Sequence, residues 1–143
     1  MRLHEFLVGA GSKPYRELIQ HHIRKQTVPQ MSAGVMGEVA LLPSDLQPAA
    51  MSFIDVLNVE LLRSQEFWER ANCGDAVNAI VRMANQHFAL NLPLPVDSRS
   101  MSGIEQEFVF GLFQIATISF AYTAASQPNA RKFMGIRKSL FFR

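Results

Sequence analysis

The chain has 143 residues, of which 48% are apolar and 18% are charged, and it contains one cysteine. This composition excludes a disordered tail, which carries more charge, and a disulfide scaffold, which needs paired cysteines. A chain of this length buries about two thirds of its unfolded surface, so residues 1–143 are expected to form a single domain. Because Cys73 is the only cysteine and because His4 and Glu5 interrupt the N-terminal stretch that a secretory signal would occupy, a cytoplasmic location is expected.

The net charge of +2 conceals an uneven distribution of charge along the chain. Residues 38–107 contain most of the acidic side chains, whereas residues 108–143 contain basic side chains and no acidic one. An acidic middle and a basic end favour either self-association or a partner with an anionic surface. The basic side chains are too sparse to indicate nucleic acid, which remains a weakly supported partner.

The first pattern along the chain predicts a helix that begins near Ser12 and Pro14. Serine can cap free N–H groups at a helix start, and proline is tolerated in the first turn. In residues 15–23 the apolar side chains recur at helical spacing, with charged side chains between them. The Val-Pro pair at residues 28–29 predicts the end of this helix, because a residue before proline avoids the helical conformation.

Residues 28–47 have no clear pattern. Two glycines and Pro43 interrupt an apolar stretch, so both a short helix and an apolar loop remain open. Residues 39–42 are the one place where a short strand is conceivable.

Two amphipathic helices are predicted in the middle of the chain, at residues 49–72 and 76–90. Pro48 marks the start of the first, and an apolar stripe runs along each of them. Gly74 suits the end of the first helix and Asp75 suits the cap of the second.

The segment that decides the fold class is a predicted helix at residues 103–125. Ser102 and Glu105 have the spacing of a capping box at its start. Residues 108–125 are uncharged and long enough to cross a bilayer, so a membrane span is one alternative. Polar side chains dilute this stretch, however, and the apolar stripes of the other helices need a common partner. We therefore predict an all-α, single-domain bundle of roughly five or six helices around a buried apolar helix.

The C-terminal residues 129–143 are predicted to form a basic amphipathic helix that could serve as a docking segment. Its apolar and basic side chains fall on different sides at helical spacing. Such a helix can dock in an acidic groove, lie on an anionic membrane or contact phosphates. The predicted partner-binding residues are Arg131, Lys132, Phe133, Ile136, Arg137, Lys138, Leu140 and Phe141.

No pattern in the sequence identifies a catalytic centre, a metal site or a cofactor site. Residues 9–13, Gly-Ala-Gly-Ser-Lys, differ from a phosphate-binding loop because the serine precedes the lysine. His21 and His22 are adjacent, so they point about 100° apart on a helix and cannot share one metal ion. No neighbouring motif pairs Cys73 with a histidine base, as a nucleophilic cysteine requires.

The leading functional prediction is a non-enzymatic protein–protein interaction module that uses surplus apolar helix surface and the basic C-terminal segment. One alternative is a membrane-associated protein in which residues 108–125 span the bilayer or residues 129–143 lie on it. A weaker alternative is a small-ligand binder or an enzyme with a pocket between helices. The polar side chains chosen to line such a pocket, because they lie on or near apolar faces, are Tyr15, His22, His87 and Gln114.

Overall fold

The computed structural model describes residues 2–126, and over this range the chain forms seven α-helices, one 3-10 turn and no β-strand. The predicted all-α bundle is confirmed, with more helices than expected. The elements are α1 (Arg2–Ala10), α2 (Tyr15–Lys25), α3 (Val28–Ala40), α4 (Gln47–Arg63), α5 (Gln65–Arg70), α6 (Cys73–His87), the 3-10 turn Ser98–Ser100 and α7 (Gly103–Ser126).

Helix α7 is the centre of the bundle. It spans 24 residues and packs against α1, α2, α3, α4 and α6. By length and composition α7 could cross a membrane, but 72% of its most apolar stretch is buried against the other helices. The predicted buried central helix is therefore confirmed. Its buried side chains are Gln106, Val109, Leu112, Phe113, Ile115, Ala116, Thr117, Ile118, Ser119, Phe120, Ala121, Thr123, Ala124 and Ala125.

The start of α7 follows from the predicted capping box. The backbone N–H of Ser102 donates to the Glu105 carboxylate at 2.9 Å, and the backbone N–H of Glu105 donates to the Ser102 hydroxyl at 3.2 Å. Two backbone donors that lack helical partners are thus satisfied. These hydrogen bonds lower the pKa of the Glu105 carboxyl, which keeps the cap ionised.

Residues 28–40 form α3, a helix that the sequence left unassigned. Thr27 caps it, and Pro29 lies in its first turn, so the prediction that the Val-Pro pair only ends a helix was incomplete. Gly34 lies against α7, where an added Cβ would be 3.6 Å from the Ile118 side chain. An added methyl group would make an ordinary van der Waals contact there, so α3 packs directly on α7 at this position. The strand considered at residues 39–42 does not form, because Val39 is buried as part of α3.

Three predicted helix boundaries were wrong in detail. Ser12 does not cap α2, whose first residue Tyr15 follows Pro14 directly. The long helix predicted at residues 49–72 is two helices, because the chain leaves helical geometry at Ser64. The cap of α6 is Asn72 rather than Asp75, since the Asn72 side chain accepts the Asp75 N–H at 2.7 Å.

A buried hydrogen-bond pair joins α2 to α7. The Tyr15 and Thr117 hydroxyl oxygens are 2.9 Å apart and both side chains are fully buried. Because the Thr117 hydroxyl donates to the Phe113 carbonyl at 2.7 Å, the Tyr15 hydroxyl is the donor in this pair. Burial raises the pKa of Tyr15, so its proton remains available for the bond.

This geometry predicts that removing the acceptor destabilises the fold more than removing the donor. In Thr117→Val the Tyr15 hydroxyl loses its buried partner, which costs about 1–3 kcal/mol, whereas Tyr15→Phe costs about 1 kcal/mol. Urea unfolding of the two variants beside the wild type measures the difference. An equal loss in both variants, or a larger loss in Tyr15→Phe, would contradict this assignment of the donor.

Candidate functional site

An open groove crosses the surface at the N-terminal part of α7 and has a volume of about 720 Å³. The first turns of α7, between residues 103 and 111, line it together with Arg2 of α1. One wall is the end of α3 with the turn at residues 41–46, and the other is the turn at residues 90–92. Most of its lining is apolar, which makes it the principal concave apolar surface found on the described residues.

Two large apolar side chains stand at the edge of this groove in contact with water. Ile104 in the first turn of α7 is 84% exposed, and Leu41 at the end of α3 is 76% exposed. By contrast, Leu42 and Phe108 turn toward the protein. A single exposed apolar side chain is common on a protein surface. Two of them that line the same apolar groove are typical of a binding surface.

Side-chain amides hold both walls of the groove in place. The Asn85 side chain donates to the Leu92 carbonyl and accepts the Leu92 N–H, both at 3.0 Å. On the other wall the Gln47 side chain donates to the carbonyl of Leu42 at 3.0 Å and, more weakly, to that of Ala40 at 3.4 Å. The groove is therefore shaped before anything binds to it.

The chain reverses direction at Ala89 to form the 90–92 wall. Ala89 has a positive φ of 53°, a left-handed conformation that glycine usually occupies at the end of a helix. This conformation costs a non-glycine residue about 1–2 kcal/mol. The turn is closed by the backbone bond from the Leu90 N–H to the Asn85 carbonyl at 2.9 Å, and it places Leu90 and Leu92 along the groove.

The charged residues along the groove give it an acidic character. The carboxylates of Glu38, Glu105 and Glu107 line it, against the single guanidinium of Arg2. Arg2 forms an ion pair with Glu107 and lies over the Phe110 ring, 4.9 Å from its centre. The Arg2 hydrogen bond lowers the pKa of Glu107, which stays ionised.

The four side chains predicted to line an interhelical pocket do not line this groove. Tyr15 is buried in the core, in its bond with Thr117. His87 joins α6 to α4, with its Nε2 2.8 Å from both the Ser52 hydroxyl and the Ala49 carbonyl. His22 and Gln114 are half-buried on α2 and α7, and neither lines any of the three smaller pockets of the described surface.

The glycine-rich stretch and the cysteine have structural roles. Gly11 ends α1, and an added Cβ there would lie 2.4 Å from the Leu7 carbonyl oxygen, so only glycine fits. Cys73 is a buried free thiol at the start of α6, and burial raises its pKa, which disfavours the reactive thiolate. Within residues 2–126 no cluster of three or more potential ligands is positioned to hold a metal ion.

The predicted partner-binding residues 131–141 lie outside the described part of the chain, so their role stays a prediction.

The groove was not predicted from the sequence. Two local features of the sequence could have indicated the groove. One is the apolar pair followed by proline at residues 41–43, and the other is Ile104 inside an otherwise polar first turn of α7. Comparison of the chain with protein-family models, curated proteins and solved structures gave no match. The chemistry of the groove itself is therefore what indicates a class of ligand.

We predict that mild acidification destabilises the protein partly through His22. Burial lowers the pKa of His22 below its value of about 6.5 in the unfolded chain; a hydrogen bond to Gln26 opposes this shift, and neighbouring His21 adds to it. Between these two pKa values the unfolded chain binds more protons, so stability falls as the pH drops below about 6.5.

The variant His22→Gln cannot take up this proton and should lose less stability than the wild type between pH 7.5 and pH 5.5. Urea midpoints at the two pH values provide the measurement, with pH 7.5 as the reference for the cost of the substitution itself. Identical losses in the two proteins would show that His22 titrates alike in the folded and unfolded states.

Proposed function

We propose that the protein is a protein–protein interaction module whose groove docks an apolar, basic segment of a polypeptide. The observation that carries this proposal is the exposed pair Leu41 and Ile104, both of which line an apolar groove with fixed walls. In helix-in-groove recognition, apolar side chains on one face of a helical segment enter a hydrophobic groove of the partner protein. The groove described above has the apolar surface that this mode of binding requires.

The groove's apolar surface supports binding through burial. Covering one large aliphatic side chain contributes about 1.5–3 kcal/mol, and Leu41 and Ile104 are both available to be covered. The walls need no rearrangement, because the Asn85 and Gln47 amides already hold them. Little of the binding free energy is then spent on ordering the site.

The acidic side chains support the choice of a basic segment. Glu38, Glu105 and Glu107 would attract lysine and arginine side chains that flank an apolar stripe. The same carboxylates repel phosphate groups, so nucleic acid and an anionic membrane are disfavoured as occupants of this groove. These two partner classes remain expectations that concern other parts of the chain.

Replacing the exposed apolar pair is predicted to weaken binding of a synthetic amphipathic leucine–lysine peptide. Fluorescence anisotropy of the labelled peptide should give an affinity for Leu41→Gln/Ile104→Gln at least about tenfold below that of the wild type. The matched control is Val8→Gln, since Val8 is 72% exposed on α1 and does not line the groove. Equal affinities for the groove variant and the control would overturn the proposal.

Reversing one acidic charge is predicted to weaken the same peptide through electrostatics. Glu38→Lys should lower the affinity by about threefold to tenfold at low salt, and the difference should shrink as salt is added. Asp55→Lys makes the same change in net charge on an exposed position of α4 away from the groove. If both variants lose affinity equally, the peptide senses only the overall charge of the protein.

A further inference from the structure

We propose that the occupant of the groove is residues 131–141 of a second copy of this chain, so that two copies exchange these segments. This inference rests on the proposed function, because it names the partner for the same groove. Three observations carry it: the chemistry of the segment, the position of the groove along α7, and the place where the described chain ends.

The segment has the chemistry that the groove requires. Residues 131–141 carry Phe133, Ile136 and Leu140 at helical spacing, with lysine and arginine side chains between them and no acidic residue. The groove offers an apolar lining together with three carboxylates and one guanidinium. Charge and polarity are therefore complementary within a single sequence.

The position of the groove disfavours docking of the segment within its own chain. The groove lies over the first turns of α7, around Glu107, whereas Ser126, to which the segment is joined, lies at the opposite end of α7. At about 1.5 Å per residue these two points are about 28 Å apart along the helix axis. A segment that returned within one molecule would have to cover this distance antiparallel to α7.

The chain after Ser126 is too short to bring the whole segment into the groove as a docked helix. With residues 127–130 fully extended and a helix from residue 131, Phe133 would reach only about 18 Å from Ser126, whereas Gly111 at the near end of the groove is about 22 Å away along α7. Only the last turn of the segment would enter the groove. An almost fully extended chain would reach the groove. However, it would lose the helical spacing that brings its apolar side chains to one side, and ordering it would cost conformational entropy. A second copy has no such restriction.

Exchange between two copies also closes the assembly. Each copy offers one groove and one segment, so a twofold arrangement fills both grooves and leaves no unpaired site to extend a chain of molecules. The expected product is a dimer rather than a filament.

The test is complementation between two full-length variants. The groove variant Leu41→Gln/Ile104→Gln keeps its segment, and the segment variant Phe133→Ser/Leu140→Ser keeps its groove. Sedimentation equilibrium should show a wild-type dimer whose dissociation constant rises at least about tenfold in either variant alone. An equimolar mixture should form heterodimers more readily than either variant forms homodimers, because one intact groove–segment contact remains.

Two outcomes would overturn the exchange. A wild type that stays monomeric, or a mixture that associates no better than the separate variants, would each contradict it. The leucine–lysine peptide then separates this failure from failure of the proposed function. If the segment variant still binds the peptide through Leu41 and Ile104, the groove is a docking site for another protein and only the exchange is wrong. If the peptide does not bind, both proposals fail.

Discussion

The structure depends on one requirement: a helix that is apolar on nearly all sides must be shielded from water by other helices on nearly all sides. Helix α7 meets it by packing against α1, α2, α3, α4 and α6. Helix α3 runs antiparallel to it, since Gly34 lies near Ile118 and Leu42 lies near Gly111. The cover is thinnest at the first turns: Ile115 is fully buried, whereas Ile104 is 84% exposed. The groove is thus the place where the bundle leaves its central helix open.

Local signals were sufficient for the central helix but not for every helix around it. The Ser102–Glu105 capping box and the uncharged run after it are contiguous in sequence, so α7 could be predicted almost to its ends. Helix α3 was missed because its glycines indicate a loop, although the Thr27–Gln30 capping box is a local start signal and packing against α7 stabilises the helix. The break between α4 and α5 at Ser64 was not predicted, because the apolar pattern of the sequence continues through it. The groove was unpredictable because its walls come from three separate stretches of chain that only the tertiary fold brings together.

The groove and the C-terminal segment give the uneven charge distribution a physical meaning. The acidic middle of the chain supplies the carboxylates of the groove, and the basic end carries the opposite charge that the proposed exchange would use. Fixed walls, held by Asn85 and Gln47, favour a partner that fits an existing surface over one that reshapes it. In the proposed interaction role this groove is the docking surface, and residues 2–126 contain no cluster of three or more potential metal ligands.

Hydrogen exchange of the full-length protein in lipid-free, detergent-free buffer tests the central claim most directly. If α7 is buried by its own bundle, the amides of residues 112–125 will exchange only through global unfolding and will be the slowest in the molecule. Exchange of these amides at the rate of those in α1, or their protection only after lipid is added, would contradict a bundle built around α7.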